Sequence, residues 1–400
     1  MSMKTNFKRL LFFVIIIAVI VTVVLLVKPG APQSEPVISP SPQVTDVPAE
    51  PEKNPISSRA DEILAGMTLR EKLYQMFIVT PDKLAGENSV QSLTPALKER
   101  LETFPVGGII YMSENVSSAN QIKELIKAAD TVAEIPMFAS VDQEGGSVAR
   151  LKENVGFPIF KNMYEYKEEG EETARKNALT IAENMAALGF NLDFAPVADV
   201  WSNKENAVIG KRAYSDDFDE AARLVASAVK GFHDGGIICT LKHFPGHGST
   251  YQDSHLEPAY IKKTKEEIEK EEILPFKAGI EASADVVMVG HLTVDDIDGN
   301  VPATVSKAFV TDYLKNEIGF DGLVITDALN MEAVAEMYEP GELAAKAVKA
   351  GVDVLLMPVR LRLAAAGIEE AVLNGEISEE RINESVRKIL ELKIKYGIIK

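Results

Sequence analysis

A single cysteine, Cys239, stands among the 400 residues, so no disulfide can form within the chain. Cysteine usage therefore neither supports nor excludes an oxidising compartment. Cys239 lies in the apolar stretch 237–241 and reads as a small core residue. Positive charge is also scarce: 42 Lys and Arg face 60 Asp and Glu, a formal net charge of −18. A nucleic-acid partner is excluded, since neutralising phosphates needs clustered cations. No G-x-G-x-x-G follows the first apolar run, which argues against an open dinucleotide-binding sheet. A helical two-histidine zinc motif is missing as well. His243 and His247 are four apart, but Pro245 and Gly246 break the helix that such a motif needs. No metal and no organic cofactor is expected.

The chain does hold one long apolar run, residues 10–27, which carries no charge. As a helix it spans about 27 Å, close to the thickness of a bilayer's hydrocarbon core. Lys4, Lys8 and Arg9 precede it, which orients a single-pass signal anchor with the remainder of the chain outside the cytoplasm. No small-residue cleavage pattern follows, so an anchor is expected over a cleaved signal. Residues 29–56 are rich in proline, with Ser, Glu, Gln and Thr between, and read as an extended spacer. The expected organisation is a stub and membrane anchor at 1–28, a linker at 29–56 and a globular domain at 57–400.

Within that domain, eight apolar, β-branched or aromatic runs recur near residues 74–80, 106–112, 136–142, 190–196, 236–242, 285–291, 322–327 and 352–358. Amphipathic stretches separate most of them, near 118–134, 171–188, 217–234, 264–282, 306–317, 340–350 and 360–374. Gly189, Gly235, Gly319 and Gly351 follow helical stretches, where a left-handed cap is wanted. Near-continuous apolar strands alternating with helices indicate a parallel sheet covered on both faces. Eight such units predict an α/β protein with a (β/α)8 TIM barrel, preceded by the N-terminal transmembrane helix and linker.

Polar residues stand where these runs end. Asp142 ends the third, Asp193 and Asp199 lie at and after the fourth, and Lys242 and His243 end the fifth. His291 ends the sixth and Asp327 the seventh. In a barrel they converge on the C-terminal face, where barrel enzymes carry their active sites. The richest stretch is KHFPGHGSTYQDSH, residues 242–255, with three of the five histidines. Carboxylates, a histidine beside an aspartate, and a ring of Lys and Arg suit acetal cleavage. Retention in glycoside hydrolysis needs a nucleophilic carboxylate on one side of the anomeric carbon and an acid/base on the other.

KHFPGHG…DSH, VDQEGGSVAR at 141–150, IGKRAYSDD at 209–217 and VITDALNM at 324–331 resemble glycoside hydrolase family 3, in its β-N-acetylhexosaminidase branch. The resemblance covers about residues 57–400. It implies a (β/α)8 catalytic domain and a retaining, exo-acting enzyme that removes terminal β-linked N-acetylglucosamine from cell-wall fragments or related glycans. By the same resemblance Asp327 is the nucleophile, His255 the acid/base and Asp253 its hydrogen-bonded partner. Asp142, Arg150, Arg212, Lys242 and His243 match sugar-binding positions. A β-N-acetylglucosaminide phosphorylase, or a β-glucosidase or β-xylosidase of the same family, is the alternative expectation. The terminal helix is expected to use the chain up to Lys400, so no further C-terminal domain is expected.

Overall fold

Eight short parallel strands form the centre of the protein. The computed structural model describes residues 54–252 and 258–400. In chain order the strands are β1 Phe77–Val79, β2 Gly108–Ile110, β3 Phe138–Val141, β4 Leu192–Asp193, β5 Ile238–Phe244, β6 Val286–Val289, β7 Leu323–Thr326 and β8 Leu355–Leu356. Seven lie inside one of the eight apolar runs, β5 continues two residues past the end of its run at 242, and every residue in them is buried. Burial on both faces is why these strands read as continuous apolar segments rather than as alternating ones. Strands β1 to β7 pair in sequence order, and β8 pairs with β1 in the register Phe77 opposite Leu355.

The expected fold needs correction in two respects. The barrel is nearly closed, because β7 and β8 meet through the single bridge Ile325–Val354 instead of a ladder. Strand β8 is only two residues long, and Asp353 just before it turns its carboxylate onto the β7 amide of Val324. The transmembrane helix is also not part of this fold. Among the described residues no helix is long and apolar enough to cross a membrane. The stretch 10–27 on which that helix was expected, and the linker up to residue 53, lie outside the described residues. Pro55, counted with the linker, is the first residue of α1 (Pro55–Gly66), capped by the Asn54 side chain. A proline at this position loses no helical hydrogen bond.

The helices between strands follow the amphipathic stretches closely, with one break. Helix α2 (Ala119–Val132) starts on a Ser118 cap, and α4 (Phe218–Asp234) on Asp217, while α3 is Gly170–Leu188. The segment expected as one helix at 264–282 is two, α5 (Lys265–Lys270) and α6 (Ile273–Glu281). Pro275 sits in the first turn of α6, where a missing N–H costs nothing, so a new helix starts there. The break turns Glu272 inward, where Lys263 Nζ meets it at 2.6 Å. At the end of α4 the left-handed residue is Gly236, φ +74°, and Gly235 stays right-handed. Later elements are α7 (Ala308–Glu317, with i→i+5 bonds), α8 (Pro340–Ala350), α9 (Leu361–Leu373) and α10 (Glu379–Lys395).

Candidate active site

At the C-terminal end of β5 the ladder to β6 slips. Thr240 and Leu241 face Val286 and Val287, but Phe244 faces Val289, so three steps on β5 match two on β6. The extra residue is a β-bulge over Lys242 and His243. In a regular strand two successive side chains point to opposite faces. Here both line one cavity of about 880 Å³ at the C-terminal end of the barrel. Asp142, Arg150, Arg212 and Asp327 line it too, so six of the eight residues expected to act on the sugar share one space. The other two, Asp253 and His255, lie outside the described residues.

The cavity wall is a charge network. Lys242 Nζ donates to Asp142 Oδ1 at 2.9 Å and lies 2.7 Å from Glu144 Oε1. Arg212 grips Glu144 with two parallel bonds, Nε to Oε2 at 2.9 Å and Nη2 to Oε1 at 2.7 Å. Arg150 Nη2 stands 3.7 Å from Asp142 Oδ2. Burial pushes the Glu144 carboxyl up, but Arg212 and Lys242 together hold it below the usual carboxylate range. A fork of this kind leaves little rotational freedom in the cations that face a ligand. Glu144 was not among the expected site residues. Its signal was present: it lies two positions after Asp142 in VDQEGG, and Gln143–Gly145 is a strand of a small hairpin with Val148–Ala149. Alternation brings Asp142 and Glu144 to one face.

His243 is held just as firmly. Its Nδ1 is 2.7 Å from Asp199 Oδ2, and Asp199 Oδ1 also accepts the backbone N–H of His247 at 2.6 Å. Burial raises the Asp199 carboxyl, and the two histidines outweigh that and lower it. His247, the other half of the zinc spacing, has its Nδ1 2.8 Å from Thr250 Oγ1. Gly248 is required by packing, since a Cβ there would lie 1.7 Å from the Val200 carbonyl oxygen. His291 does not face the cavity; it is buried between Thr304 Oγ1 and the Ala328 carbonyl. It carries the turn after β7 and so the main chain beside Asp327. Asp327 is half-buried and accepts the Ala328 N–H at 2.7 Å. Burial raises its carboxyl, but His243, His291 and that N–H bring it below the usual range, so it is ionised at neutral pH.

Asp193 lies below the rim instead of in it. It is fully buried; Oδ1 accepts the Gln143 N–H at 2.9 Å, and Oδ2 has no hydrogen-bond partner among the described residues. Burial therefore pushes its carboxyl well above the usual range, and Gln143 and Lys242 only partly offset this. Stability from such a group is complete below the unfolded pKa and falls as pH rises toward the folded pKa. Asp193→Asn removes the titration. Between about pH 4 and the folded pKa, the variant is expected to gain up to about 1.4 kcal/mol per pH unit over the parent. Denaturation midpoints of both proteins across that range measure it, and parallel curves would contradict the raised pKa.

One further set of possible metal ligands is present, at the opposite end of the barrel. His233 Nε2, Cys239 Sγ and an Asp285 carboxylate oxygen lie within 4.8 Å of one another. Asp285 already binds Lys395 Nζ at 2.7 Å and the Tyr396 hydroxyl, which ties α10 to the barrel floor.

An eight-stranded parallel barrel with a cavity of carboxylates and cations at its C-terminal end has the arrangement in which barrel enzymes carry their active sites. Residues 68–392 match the model of the glycosyl hydrolase family 3 N-terminal domain, and the chain belongs to that family. It is 32% identical over 336 residues to β-hexosaminidase A of Pseudoalteromonas piscicida, covering 77% of this chain and 56% of that protein. It is 34% identical over 273 residues to a β-hexosaminidase of Stenotrophomonas maltophilia strain K279a, covering 66% and 80%. A family 3 β-N-acetylglucosaminidase structure from Paenibacillus sp. strain FPU-7 superposes with TM-score 0.78 at 34% identity, covering 83% and 63%. The chain thus spans a little over half of the Pseudoalteromonas protein and under two thirds of the Paenibacillus one.

Proposed function

We propose that this protein is a retaining, exo-acting β-N-acetylhexosaminidase that removes terminal β-linked N-acetylglucosamine from glycans such as cell-wall fragments. The observation that carries the reading is the convergence of Asp142, Arg150, Arg212, Lys242, His243 and Asp327 on one cavity. Similarity to β-hexosaminidases supports the choice of sugar. Asp142, Arg212 and Lys242, locked together through Glu144, present fixed hydrogen-bonding groups to the sugar hydroxyls. Fixed geometry converts binding energy into orientation of the anomeric carbon. The ionised Asp327 attacks that carbon and forms a covalent glycosyl ester. The His255 imidazolium donates a proton to the leaving oxygen, and the neutral imidazole then takes one from the incoming water. Asp253 orients the ring and favours its protonated form.

A panel of 4-nitrophenyl glycosides tests this. The N-acetylglucosaminide is expected to be turned over with kcat/KM at least about 10²-fold above the glucoside and xyloside. The first product is the β-anomer, and phosphate leaves the rate unchanged. Release of a sugar 1-phosphate, an α-anomer product or a preference for the glucoside would overturn the proposal.

A further inference from the structure

Helix α4 carries His233 in its last turn, and the chain then doubles back into β5. Gly236, with φ +74°, makes the turn, and Cys239 follows as the second residue of the strand. Asp285 stands immediately before β6. One helix end and two strand starts thus bring an imidazole, a thiol and a carboxylate to one point on the barrel floor. The proposed reaction uses none of them, because the sugar cavity lies at the other end of the strands.

The spacing of the three suits a tetrahedral ion. Cys239 Sγ is 3.8 Å from His233 Nε2, and Nε2 is 2.9 Å from Asp285 Oδ2. The three ligand atoms all lie within 4.8 Å of one another. Zinc bonds of about 2.3 Å to sulfur and about 2.0–2.1 Å to nitrogen or oxygen set tetrahedral edges of about 3.6 Å (S···N) and about 3.3 Å (N···O). The first edge is in place to within about 0.2 Å, and the second has to open by about 0.4 Å.

The donor set also fits. A thiolate and a carboxylate together neutralise a dication, which a buried position requires. Sulfur, imidazole nitrogen and a single carboxylate favour zinc or a similar borderline ion over magnesium or calcium, which take oxygen ligands. Asp285 is supported from behind: Lys395 Nζ donates to Oδ1 at 2.7 Å, and the Tyr396 hydroxyl donates to Oδ2. Outer partners of this kind fix the orientation of a ligand. Cys239 and Asp285 are buried, whereas the His233 side chain is 24% exposed, so an ion has a path from solvent.

We propose that His233, Cys239 and Asp285 form a zinc site that pins α4, β5, β6 and, through Lys395 and Tyr396, α10 at the floor of the barrel. On binding, the Cys239 thiol releases its proton to solvent and a sulfur–metal bond replaces S–H. His233 Nε2 exchanges its hydrogen bond to Asp285 for a bond to the ion, and water takes the fourth position. The ion does not reach the sugar, so it acts on stability and not on turnover.

The full chain, stripped with a chelator and then dialysed against zinc, is expected to retain a single equivalent by atomic absorption. Cobalt in place of zinc is expected to give the near-ultraviolet band of a thiolate bound to cobalt. At free zinc about a hundred times Kd, the unfolding equilibrium constant falls about a hundredfold. His233→Gln and Cys239→Ser each weaken zinc in calorimetry by at least about 10²-fold, and Tyr396→Phe, an outer partner, by about tenfold. Cys239→Ser also loses the cobalt band. Turnover of the aryl N-acetylglucosaminide changes less than about twofold in His233→Gln, as for a residue on the floor of a barrel. Zinc retained well below one equivalent, a cobalt spectrum without the thiolate band, or an affinity that both ligand variants leave unchanged would overturn the proposal. His233 and Asp285 would then be a plain ion pair, and Cys239 a core residue. If Cys239→Ser does not fold, His233→Gln and the cobalt spectrum of the parent decide the matter.

Discussion

Asp327→Gly is expected to lower kcat by about 10⁴-fold or more on every substrate, with the fold unchanged. In the proposed mechanism this carboxylate forms the bond that defines the first half of the reaction, and no other group in the cavity is placed to substitute for it. Its local setting makes it fit for the task. The Ala328 N–H and the nearby His243 and His291 lower its pKa against the effect of burial. The anion is therefore ready at neutral pH, and no proton has to leave before attack. Adding azide to the glycine variant is expected to restore turnover of an activated aryl substrate and to give the α-glycosyl azide. Labelling of another residue by a 2-fluoro or 5-fluoro sugar would remove Asp327 from the role.

His255→Ala is expected to have the second largest effect, about 10² to 10⁴-fold in kcat/KM on a disaccharide. A dinitrophenyl glycoside, whose leaving group needs no proton, loses far less. That contrast separates a lost proton donor from a damaged site. The alkaline limb of the pH–rate profile reports the protonated imidazole, and it disappears in the variant. On the proposed pairing, Asp253→Asn keeps the acid but removes the carboxylate assigned to favour its charged form, so the limb is expected to move to lower pH. A uniform loss across leaving groups, with the limb intact, would take His255 out of the mechanism.

Much of the barrel was legible because its strands are buried on both faces. A strand without a solvent side has to be apolar throughout, and eight such runs separated by helices allow few other folds. The ends of most runs were equally plain, since charged residues are costly inside the core; β5 is the exception and runs on through Lys242 and His243 to Phe244. Other features were hidden for physical reasons. The bulge at Lys242 and His243 depends on how β5 registers against β6, and register is a pairwise property that no single strand carries. The break near Glu271 lay inside a continuous amphipathic pattern, and Pro275 was its one local sign. Glu144 looked like a motif neighbour of Asp142, and only the fold brings Arg212, sixty-eight positions away, onto it.

Taken alone, the sequence determined the eight strands, the acidic balance and the chemistry available at each strand end, because burial and charge act residue by residue. Tertiary structure decided which of those polar residues meet. It sent Asp193 beneath the rim, where burial raises its pKa, gave His291 to the turn beside Asp327, and tied Lys242 and Arg212 to one buried carboxylate. Pairing depends on distance in space, and distance in space is what the closing of the barrel supplies.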